Sequence, residues 1–321
     1  MIRKYSADDH AESSVLIYQN APIQGYAFHD LTQIDELIFD HPYFSSDHTF
    51  VNEEDDNIVS IVCGCTGDDI THGDERGYFS FLVSDREHDT EENARQMFGM
   101  LEDSFKEAGK RYSAVTFFNP MRLPWIMPGT PGFEHNNMPG IAMDTSLFEW
   151  MKDLGYTYPA VECAMFCDLA QFQITRDIED LEKNVAIDGY SYGRYDRRIR
   201  QGLGEMLDKL GNPDWITRIN KAGAEDMLLP VMLHGNTVVG FAGPVYPEPT
   251  GRGYFAGIGI DPDHQHHGLG KVLFYHLCNE EKNAGAKYMS LFTGDSNPAG
   301  NIYRAAGFRE VRRFGVMIKE L

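Results

Sequence analysis

The sequence repeats itself at a nearly constant spacing, and this repeat restricts the folds open to the chain more than any other feature. Residues 77–83 (GYFSFLV) resemble residues 253–259 (GYFAGIG), and the same shift of 176 positions places residues 108–112 over residues 284–288. The register holds over about 35 residues without a gap, which two unrelated apolar strands would not maintain. The 321-residue chain is therefore predicted to contain two copies of one structural unit.

Each copy shows the pattern strand, short loop, helix, strand. Short apolar runs bounded by glycine and aspartate predict strands at 78–83 and 254–260. Gly109 and Gly285 stand where a helix C-terminus favours a left-handed residue. Apolar residues at helical spacing predict helices over 92–108 and from Leu269 to Cys278, and strands at 113–118 and 288–293 follow them. A unit of this length predicts that its two strands are parallel neighbours.

The repeat extends in both directions with a changed spacing. Upstream, residues 57–64 parallel residues 236–243 and predict a hairpin strand that is entered from an Asn-bearing turn. Downstream, residues 154–156 match residues 306–308 with a shift of 152, which is 24 fewer than 176. The first copy therefore carries an insertion of about that size near residues 119–145, a stretch rich in Pro, Gly and Met that either covers a site or decorates an edge.

A boundary between the copies is predicted at residues 168–173, which divides the chain into domains 1–170 and 171–321. The segment 190–219 is predicted to be helical and to open the second copy. A dense basic patch lies within it, and we favour a solvated helix face paired with neighbouring acids over an anion site. The patch consists of Arg194, Arg197, Arg198 and Arg200.

Charge and cysteine content narrow the classes of function. Lys and Arg total 28 against 49 Asp and Glu, a formal net charge of −21. Nucleic acid requires a basic stripe, so this acidity argues against such a partner; it either serves solubility or attracts cationic substrates. Five cysteines, odd in number and sparse, fit reduced thiols in a cytoplasm. We find no signal-peptide pattern and no run of about 18 apolar residues, so a cytoplasmic protein without membrane contact is expected.

Residues 259–271 (GIDPDHQHHGLGK) carry the most specific pattern in the chain. Gln265-x-x-Gly268-x-Gly270 follows a predicted strand and opens a predicted amphipathic helix, where successive main-chain N–H groups lack internal partners. Glycines let an anion approach these N–H groups, and the helix dipole favours negative charge. The pattern predicts a binding site for a pyrophosphate.

With this loop, residues 230–321 resemble the GNAT N-acetyltransferase superfamily, whose signature is a Gln/Arg-x-x-Gly-x-Gly/Ala loop after a strand. The resemblance implies an α+β chain of two tandem GNAT-like domains, each a mixed, mainly antiparallel sheet flanked by helices. It implies acetyl-CoA as acyl donor, with the main chain of residues 258–260 along the pantetheine arm. The residues that it implies in coenzyme binding are Ile258, Gly259, Ile260, Gln265, His266, His267, Gly268, Leu269, Gly270, Lys271 and Asn297.

A second family element follows in residues 297–308. Tyr303 stands four residues before Gly307, and the resemblance implies that its phenol protonates the departing CoA thiolate. The alternative is a buried aromatic residue with a satisfied hydroxyl. Asn297 would hydrogen-bond the pantetheine, although it lies one residue closer to Tyr303 than in many relatives. The cysteines lack a nucleophile setting, so direct transfer is expected.

The first copy departs from this pattern at the positions that bind the coenzyme. The shift of 176 aligns the three signature residues of the second copy with Asp89, Glu92 and Ala94. Carboxylates would therefore stand where a diphosphate binds, and like charges repel. The downstream shift aligns Tyr303 with Met151, which cannot donate a proton. The first copy thus resembles a GNAT domain that has lost its cofactor site.

Three histidines in the loop, His264, His266 and His267, suggest a metal site. Their spacing at a loop–helix junction does not aim several imidazoles at one point, and no carboxylate pattern completes a ligand set. We therefore expect no metal and favour a role beside phosphate, where a histidine can be partly protonated.

These features predict an N-acetyltransferase that moves acetyl from acetyl-CoA to a primary amine of a small molecule or peptide. The alternatives are a non-catalytic CoA-binding or interaction protein that keeps the fold, and transfer of a longer acyl group. Residues 254–260 contain no acid, so no general base is identified; Glu248 and Asp261 are nearby acids. The acidic surface favours polyamines, aminoglycosides or other cationic acceptors through long-range attraction alone. Nothing in the sequence indicates the oligomeric state.

Overall fold

The repeat corresponds to two units in the computed structural model of the chain, which describes residues 1–128, 132, 134–198 and 201–321. One unit consists of Met1–Ala164 and Val311–Leu321, and the other of Met165–Glu310. The predicted division at residue 170 assigned the whole C-terminal segment to the second domain. Residues 311–321 belong to the first unit instead, because the last strand pairs there, with Met317 opposite Val115.

The strands and helices follow one another along the chain in the predicted strand–helix–strand pattern. The strands are β1 (Ile2–Lys4), β2 (Thr49–Glu54), β3 (Asn57–Cys65), β4 (Arg76–Ser84), β5 (Tyr112–Val115), β6 (Trp125–Ile126), β7 (Glu134–His135), β8 (Ile141–Ala142), β9 (Thr157–Asp168), β10 (Tyr190–Arg194), β11 (Pro230–His234), β12 (Thr237–Ala242), β13 (Arg252–Gly253), β14 (Ile258–Ile260), β15 (Tyr288–Gly294) and β16 (Arg309–Glu320). The α-helices are α1 (His10–Asn20), α2 (Leu31–Ile34), α3 (Glu91–Glu107), α4 (Ser146–Asp153), α5 (Arg176–Ile187), α6 (Leu203–Leu210), α7 (Pro213–Ala224), α8 (Leu269–Asn283) and α9 (Gly300–Ala305). Of the helices described, none is long and apolar enough to cross a bilayer.

The first unit is built on a mixed sheet. Strands β1 to β5 lie in sequential order and are antiparallel except for β4 and β5, which are parallel. Helix α3 ends at Gly109, whose φ of +74° is left-handed as predicted. Its apolar residues recur at three- and four-residue spacing, so that one face of the helix is buried. The fully buried residues of this face are Ala94, Met97, Phe98, Leu101 and Phe105.

The second unit repeats this arrangement. Strands β10, β11, β12 and β14 form an antiparallel sheet, and β13 and β15 form a parallel pair. Helix α8 ends before Gly285, which has a φ of +105°. Mixed, mainly antiparallel sheets with flanking helices confirm the predicted α+β class. The buried face of α8 contains Leu269, Val272, Leu273, Leu277 and Cys278.

The parallel pairs keep the register of the repeat. Arg76 lies opposite Tyr112 in the first unit, and Arg252 lies opposite Tyr288 in the second. Arg252 and Tyr288 therefore follow Arg76 and Tyr112 by the same 176 residues that the sequence repeat shows. Two copies of the same strand pairing, at the same register, confirm the repeat that the sequence shows.

Two predicted elements differ from the structure. Residues 190–219 are not one helix, because β10 occupies their start and pairs with β11 before α6 and α7 follow. The strand predicted over 254–260 is limited to β14, because residues 254–257 belong to none of the described strands. We call residues 254–257 the strand break; it separates β13, which pairs with β15, from β14, which pairs with β12.

The predicted insertion at 119–145 is described except for residues 129–131 and 133. It contains the antiparallel pair β6–β7, in which Trp125 lies opposite His135, and Trp125 is fully buried. This part of the insertion therefore packs into the core of the first unit.

Candidate functional site

A cavity of about 480 Å³ lies in the second unit, where β14, the loop after it and the start of α8 meet the loop before α9. His264, Pro298, Ala299 and Ile302 form part of its wall and were not among the predicted coenzyme residues. Ten of the eleven predicted coenzyme residues line the cavity, and His267 does not. The structure brings together Ile258, Gly259, Ile260, Gln265, His266, Gly268, Leu269, Gly270, Lys271 and Asn297.

The start of α8 offers main-chain hydrogen-bond donors to this cavity. Gly268 is the N-cap residue, with a φ of +80°, and no side chain caps the helix. Within the part of the chain that the structure describes, no oxygen accepts from the N–H groups of Gly268, Leu269 or Gly270. A Cβ on Gly268 would lie 3.1 Å from Leu181 Cδ1, so backbone angle and packing both favour glycine. Unpaired donors and the positive end of the helix dipole suit an anion.

The amide side chains of Gln265 and Asn297 make hydrogen bonds to the main chain of the cavity walls. Gln265 Nε2 donates to the carbonyl oxygen of Ile260 at 3.2 Å, which ties the loop to β14. Asn297 Oδ1 accepts from the N–H of Ala299 at 3.0 Å, just before α9. The carboxamide oxygen of Asn297 is thus occupied, and its N–H groups are the ones it could offer to a ligand.

Both acids that the sequence suggested as possible bases are held in ion pairs. Asp261 accepts from Lys209 Nζ at 2.9 Å and from the N–H of Asp263 at 3.0 Å. Burial acts to raise the pKa of Asp261, but these two donors outweigh it, and the pKa is lowered. Glu248 Oε2 lies 2.7 Å from Nε of the buried Arg252. Each carboxylate therefore has a structural partner.

The three loop histidines do not converge. His264 Nδ1 lies 3.0 Å from Tyr190 Oη, and His264 borders the cavity. His266 also borders it and has a left-handed φ of +68°, whereas the ring of His267 packs beside Tyr190 at 5.2 Å between centroids. Among the described residues, no group of three His, Cys, Asp or Glu side chains could hold a metal ion.

Tyr303 lies in the core beside the cavity rather than on its wall. Its ring centroid is 4.8 Å from that of Phe274 and 6.0 Å from that of Phe255, a residue of the strand break. Burial raises the pKa of Tyr303 to about 12. Its hydroxyl makes no hydrogen bond with any residue in the described structure. Tyr303 is therefore buried, but the alternative of a satisfied hydroxyl does not apply.

The corresponding helix start in the first unit carries a side-chain cap and acidic residues. Thr90 Oγ1 accepts from the N–H of Asn93 at 3.3 Å and so caps α3. The buried carboxamide of Asn93 donates to Ser60 Oγ at 2.7 Å and to Ser84 Oγ at 3.1 Å. Glu92 lies in the first turn, where its negative charge stabilises the helix and repels an anion. The start of α3 thus has a side-chain cap and a negative charge, and the start of α8 has neither.

Sequence reasoning missed the residues that cover the strand break. On α7, Trp215 Nε1 donates to the carbonyl oxygen of Ala256 at 3.1 Å, and Arg218 Nη1 donates to Tyr254 Oη at 2.7 Å. A Cβ on Gly257 would lie 2.4 Å from Trp215 Nε1, so the helix can approach only a glycine here. An isolated glycine in a strand pattern was the one available signal of this close approach.

A buried acid on α8 was also missed. Glu281 is fully buried, and its Oε1 accepts from the N–H of Tyr246 at 2.9 Å. Its Oε2 has no hydrogen-bond partner among the described residues. Burial raises the pKa of Glu281 to about 8, against the smaller effects of the Tyr246 amide and the Arg252 charge. The carboxyl is therefore largely protonated at neutral pH.

The basic patch is paired with acids, as the favoured interpretation predicts, but it does not lie on a helix face, because Arg194 ends β10 and Arg197 and Arg198 lie in the turn after it. Arg200 lies outside the described residues. The pairs are Arg194 with Glu280 at 2.8 Å, Arg197 with Asp226 at 3.6 Å, and Arg198 with Asp196 at 2.8 Å.

Comparison with known proteins agrees with this geometry. Residues 199–308 match the model of the acetyltransferase (GNAT) family. A GCN5-related N-acetyltransferase from Sphaerobacter thermophilus has a similar structure, with a TM-score of 0.61 and 11% identity over 100% of this chain and 95% of that one. A tandem GNAT protein from the clavulanic acid biosynthesis pathway gives a TM-score of 0.57 and 11% identity over 100% and 98%.

A third similar structure is a GCN5-related glucosamine N-acetyltransferase region in a fungal multi-domain GH3 beta-N-acetylglucosaminidase, with a TM-score of 0.60 and 13% identity. It covers 99% of this chain, which spans only 38% of that longer protein. No curated protein sequence matches the chain. The chain thus has the fold of tandem GNAT proteins, and its residues 199–308 are similar to the GNAT acetyltransferase family.

Proposed function

We propose that the second unit is an N-acetyltransferase that moves acetyl from acetyl-CoA directly to a primary amine. The observation that carries this proposal is the set of unpaired N–H groups of Gly268, Leu269 and Gly270, which share one cavity with the main chain of β14. A diphosphate at the start of α8 and an extended arm along β14 would use both features. Lys271 on the same wall adds a positive charge.

Acetyl-CoA supplies an activated acetyl thioester, whose acetyl passes to the amine while CoA leaves as a thiol. Tyr303 suits the role of proton donor to the departing thiolate, because a pKa of about 12 keeps its hydroxyl protonated at neutral pH. With no protein acceptor for the hydroxyl in the described structure, the proton remains available. Contact with Phe255 places Tyr303 beside the strand break, where we expect the acetyl group to be transferred.

The first unit would not bind the coenzyme under this proposal. Thr90 Oγ1 accepts from the N–H of Asn93, and the Glu92 carboxylate in the first turn of α3 would repel a diphosphate. We therefore expect one acetyl-CoA per chain. A cytoplasmic location remains part of the proposal, because the five cysteines are all free and buried.

Calorimetric titration with acetyl-CoA tests the proposal, using Gly270→Asp as the disabling variant. A Cβ on Gly270 would make ordinary contacts, at 3.5 Å from Ile302 Cδ1 and 3.7 Å from Ile260 Cγ1, and an acid in a first helical turn favours folding. The variant should fold and lose coenzyme binding because its charge repels the diphosphate. Gly99→Asp, on the exposed face of α3 with open space around it, is the matched control.

Wild-type binding with a stoichiometry of one, retained by G99D and lost by G270D, would support the site. Absence of acetyl-CoA binding by the wild type would refute it. Binding without thiol release across a broad panel of amines would favour the alternative of a non-catalytic CoA-binding protein.

A further inference from the structure

One cationic side chain lies next to the strand break. Arg218 on α7 donates from Nη1 to Tyr254 Oη at 2.7 Å and from Nε to Asp214 Oδ2 at 3.1 Å. These two bonds fix the plane of the guanidinium, whose side chain is 37% exposed. Nη2 makes no hydrogen bond with any residue in the described ranges. An immobilised guanidinium with an open edge is suited to a planar anion such as a carboxylate.

The strand break is also where the acceptor must arrive if the proposed function is right. Phe255 in the break contacts Tyr303, and Ile258 just after it lines the coenzyme cavity. The acetyl carbon therefore has to lie near the break. Trp215 and Arg218 extend from α7 onto this segment, so an acceptor that approaches the acetyl group meets them.

The charge around Arg218 selects among anions. The Asp214 carboxylate at its Nε already balances part of the positive charge. A dianionic phosphate would face that carboxylate at close range, whereas a monoanionic carboxylate needs one free N–H edge and less positive charge. Tyr254, which accepts from Arg218, and Tyr246, whose ring centroid is 6.4 Å from that of Tyr254, offer apolar contact nearby.

We propose, on the basis of the proposed function, that the acceptor is an amine that also carries a carboxylate, as an amino acid does, and that Arg218 binds this carboxylate. The net charge of −21 attracts cationic acceptors, but it acts only at long range. The chemistry around Arg218 instead favours an acceptor that carries a carboxylate. Arg218 is thus a specificity-determining residue for the acceptor.

The test compares amines that differ only in the carboxylate: phenylalanine with 2-phenylethylamine, leucine with isoamylamine, and lysine with cadaverine. Thiol release is measured with acetyl-CoA for the wild type, Arg218→Gln and Arg218→Lys. Arg197→Gln, on the same unit and paired with Asp226, is the control. Calorimetry of acetyl-CoA binding is run on every variant as an independent readout of the coenzyme site.

The wild type and R197Q should prefer the carboxylated partner by about tenfold or more in kcat/KM, the factor of one charge-assisted hydrogen bond. R218Q should lose this preference through a raised KM for the carboxylated amine, and R218K should retain part of it, with acetyl-CoA affinity unchanged in both. If acetyl-CoA binds but no carboxylated amine reacts, or both partners react equally, the inference is wrong and the coenzyme site stands. If the wild type does not bind acetyl-CoA, the proposed function itself is wrong.

Discussion

The stability of the Glu281→Gln variant relative to the wild type should increase as the pH rises. The wild-type carboxyl is fully buried, and its pKa is raised from an ordinary 4.5 to about 8. In the unfolded chain it loses its proton near pH 4.5, whereas in the folded chain it keeps the proton until about pH 8. Between these pH values ionisation lowers the free energy of the unfolded state but not that of the folded state, so the free energy of unfolding decreases as the pH rises.

The size of the effect follows from the shift. Each pKa unit corresponds to about 1.4 kcal/mol, so the wild type should lose roughly 3 kcal/mol of stability between pH 4 and pH 7, and roughly 5 kcal/mol by pH 9. Glutamine has nearly the same volume, keeps an oxygen for the N–H of Tyr246, and does not ionise. Its amide nitrogen adds a cost that does not depend on pH, so the slope of the difference against pH carries the test.

Equilibrium urea unfolding by circular dichroism at pH 5, 7 and 9 measures this slope. The control is Glu205→Gln, which removes an exposed carboxylate from α6 in the same unit. The difference in unfolding free energy between E281Q and the wild type should increase with pH, and that of E205Q should stay nearly flat. A difference for E281Q that is constant across the range would refute the assignment of a protonated, buried Glu281.

Two further predictions concern Tyr303, the proposed proton donor, and Asn93 in the first turn of α3. Tyr303→Phe should lower kcat by about a hundredfold or more because it removes the proton donor, and it should leave the acetyl-CoA affinity from calorimetry nearly unchanged; an unchanged kcat would reject the acid role. Asn93→Ala should cost about 1–3 kcal/mol in urea unfolding, because Ser60 and Ser84 lose their buried partner, and it should not alter acetyl-CoA binding. Weakened binding in N93A would contradict the view that the first unit has no coenzyme site.

The repeat made most of the fold predictable. The parallel pair was predicted correctly in the first unit, but in the second unit it involves Arg252 and Gly253 instead of the predicted residues 254–260, although both pairs keep the shift of 176. Hydrophobic periodicity predicted the first residues of α3 and α8 to within a residue or two, because each helix has one continuous apolar face. The loop motif likewise predicted residues that the structure gathers around one cavity.

The misses arose where pairing, not local pattern, decides the structure. Tyr190 begins β10 because β11 offers a partner from a distant part of the chain, and the following arginines suggested a charged helix instead. The role of α7 could not be predicted for the same reason, since the bond between Arg218 and Tyr254 joins residues 36 positions apart. Glu281 looked like an ordinary helical acid, because burial of its carboxyl depends on β13 packing against α8.

The functional difference between the two copies comes from side chains that the second copy lacks. Phe81 is buried in β4 opposite Cys63, so that strand continues; its counterpart is Gly257, against which the Trp215 ring packs at the strand break. The counterpart of Glu92 is Gly268, and the start of α8 has neither the acidic first turn of α3 nor a side-chain cap. At Gly268 the missing side chain leaves main-chain N–H groups beside the cavity, whereas at Gly257 it lets the Trp215 ring pack against the main chain.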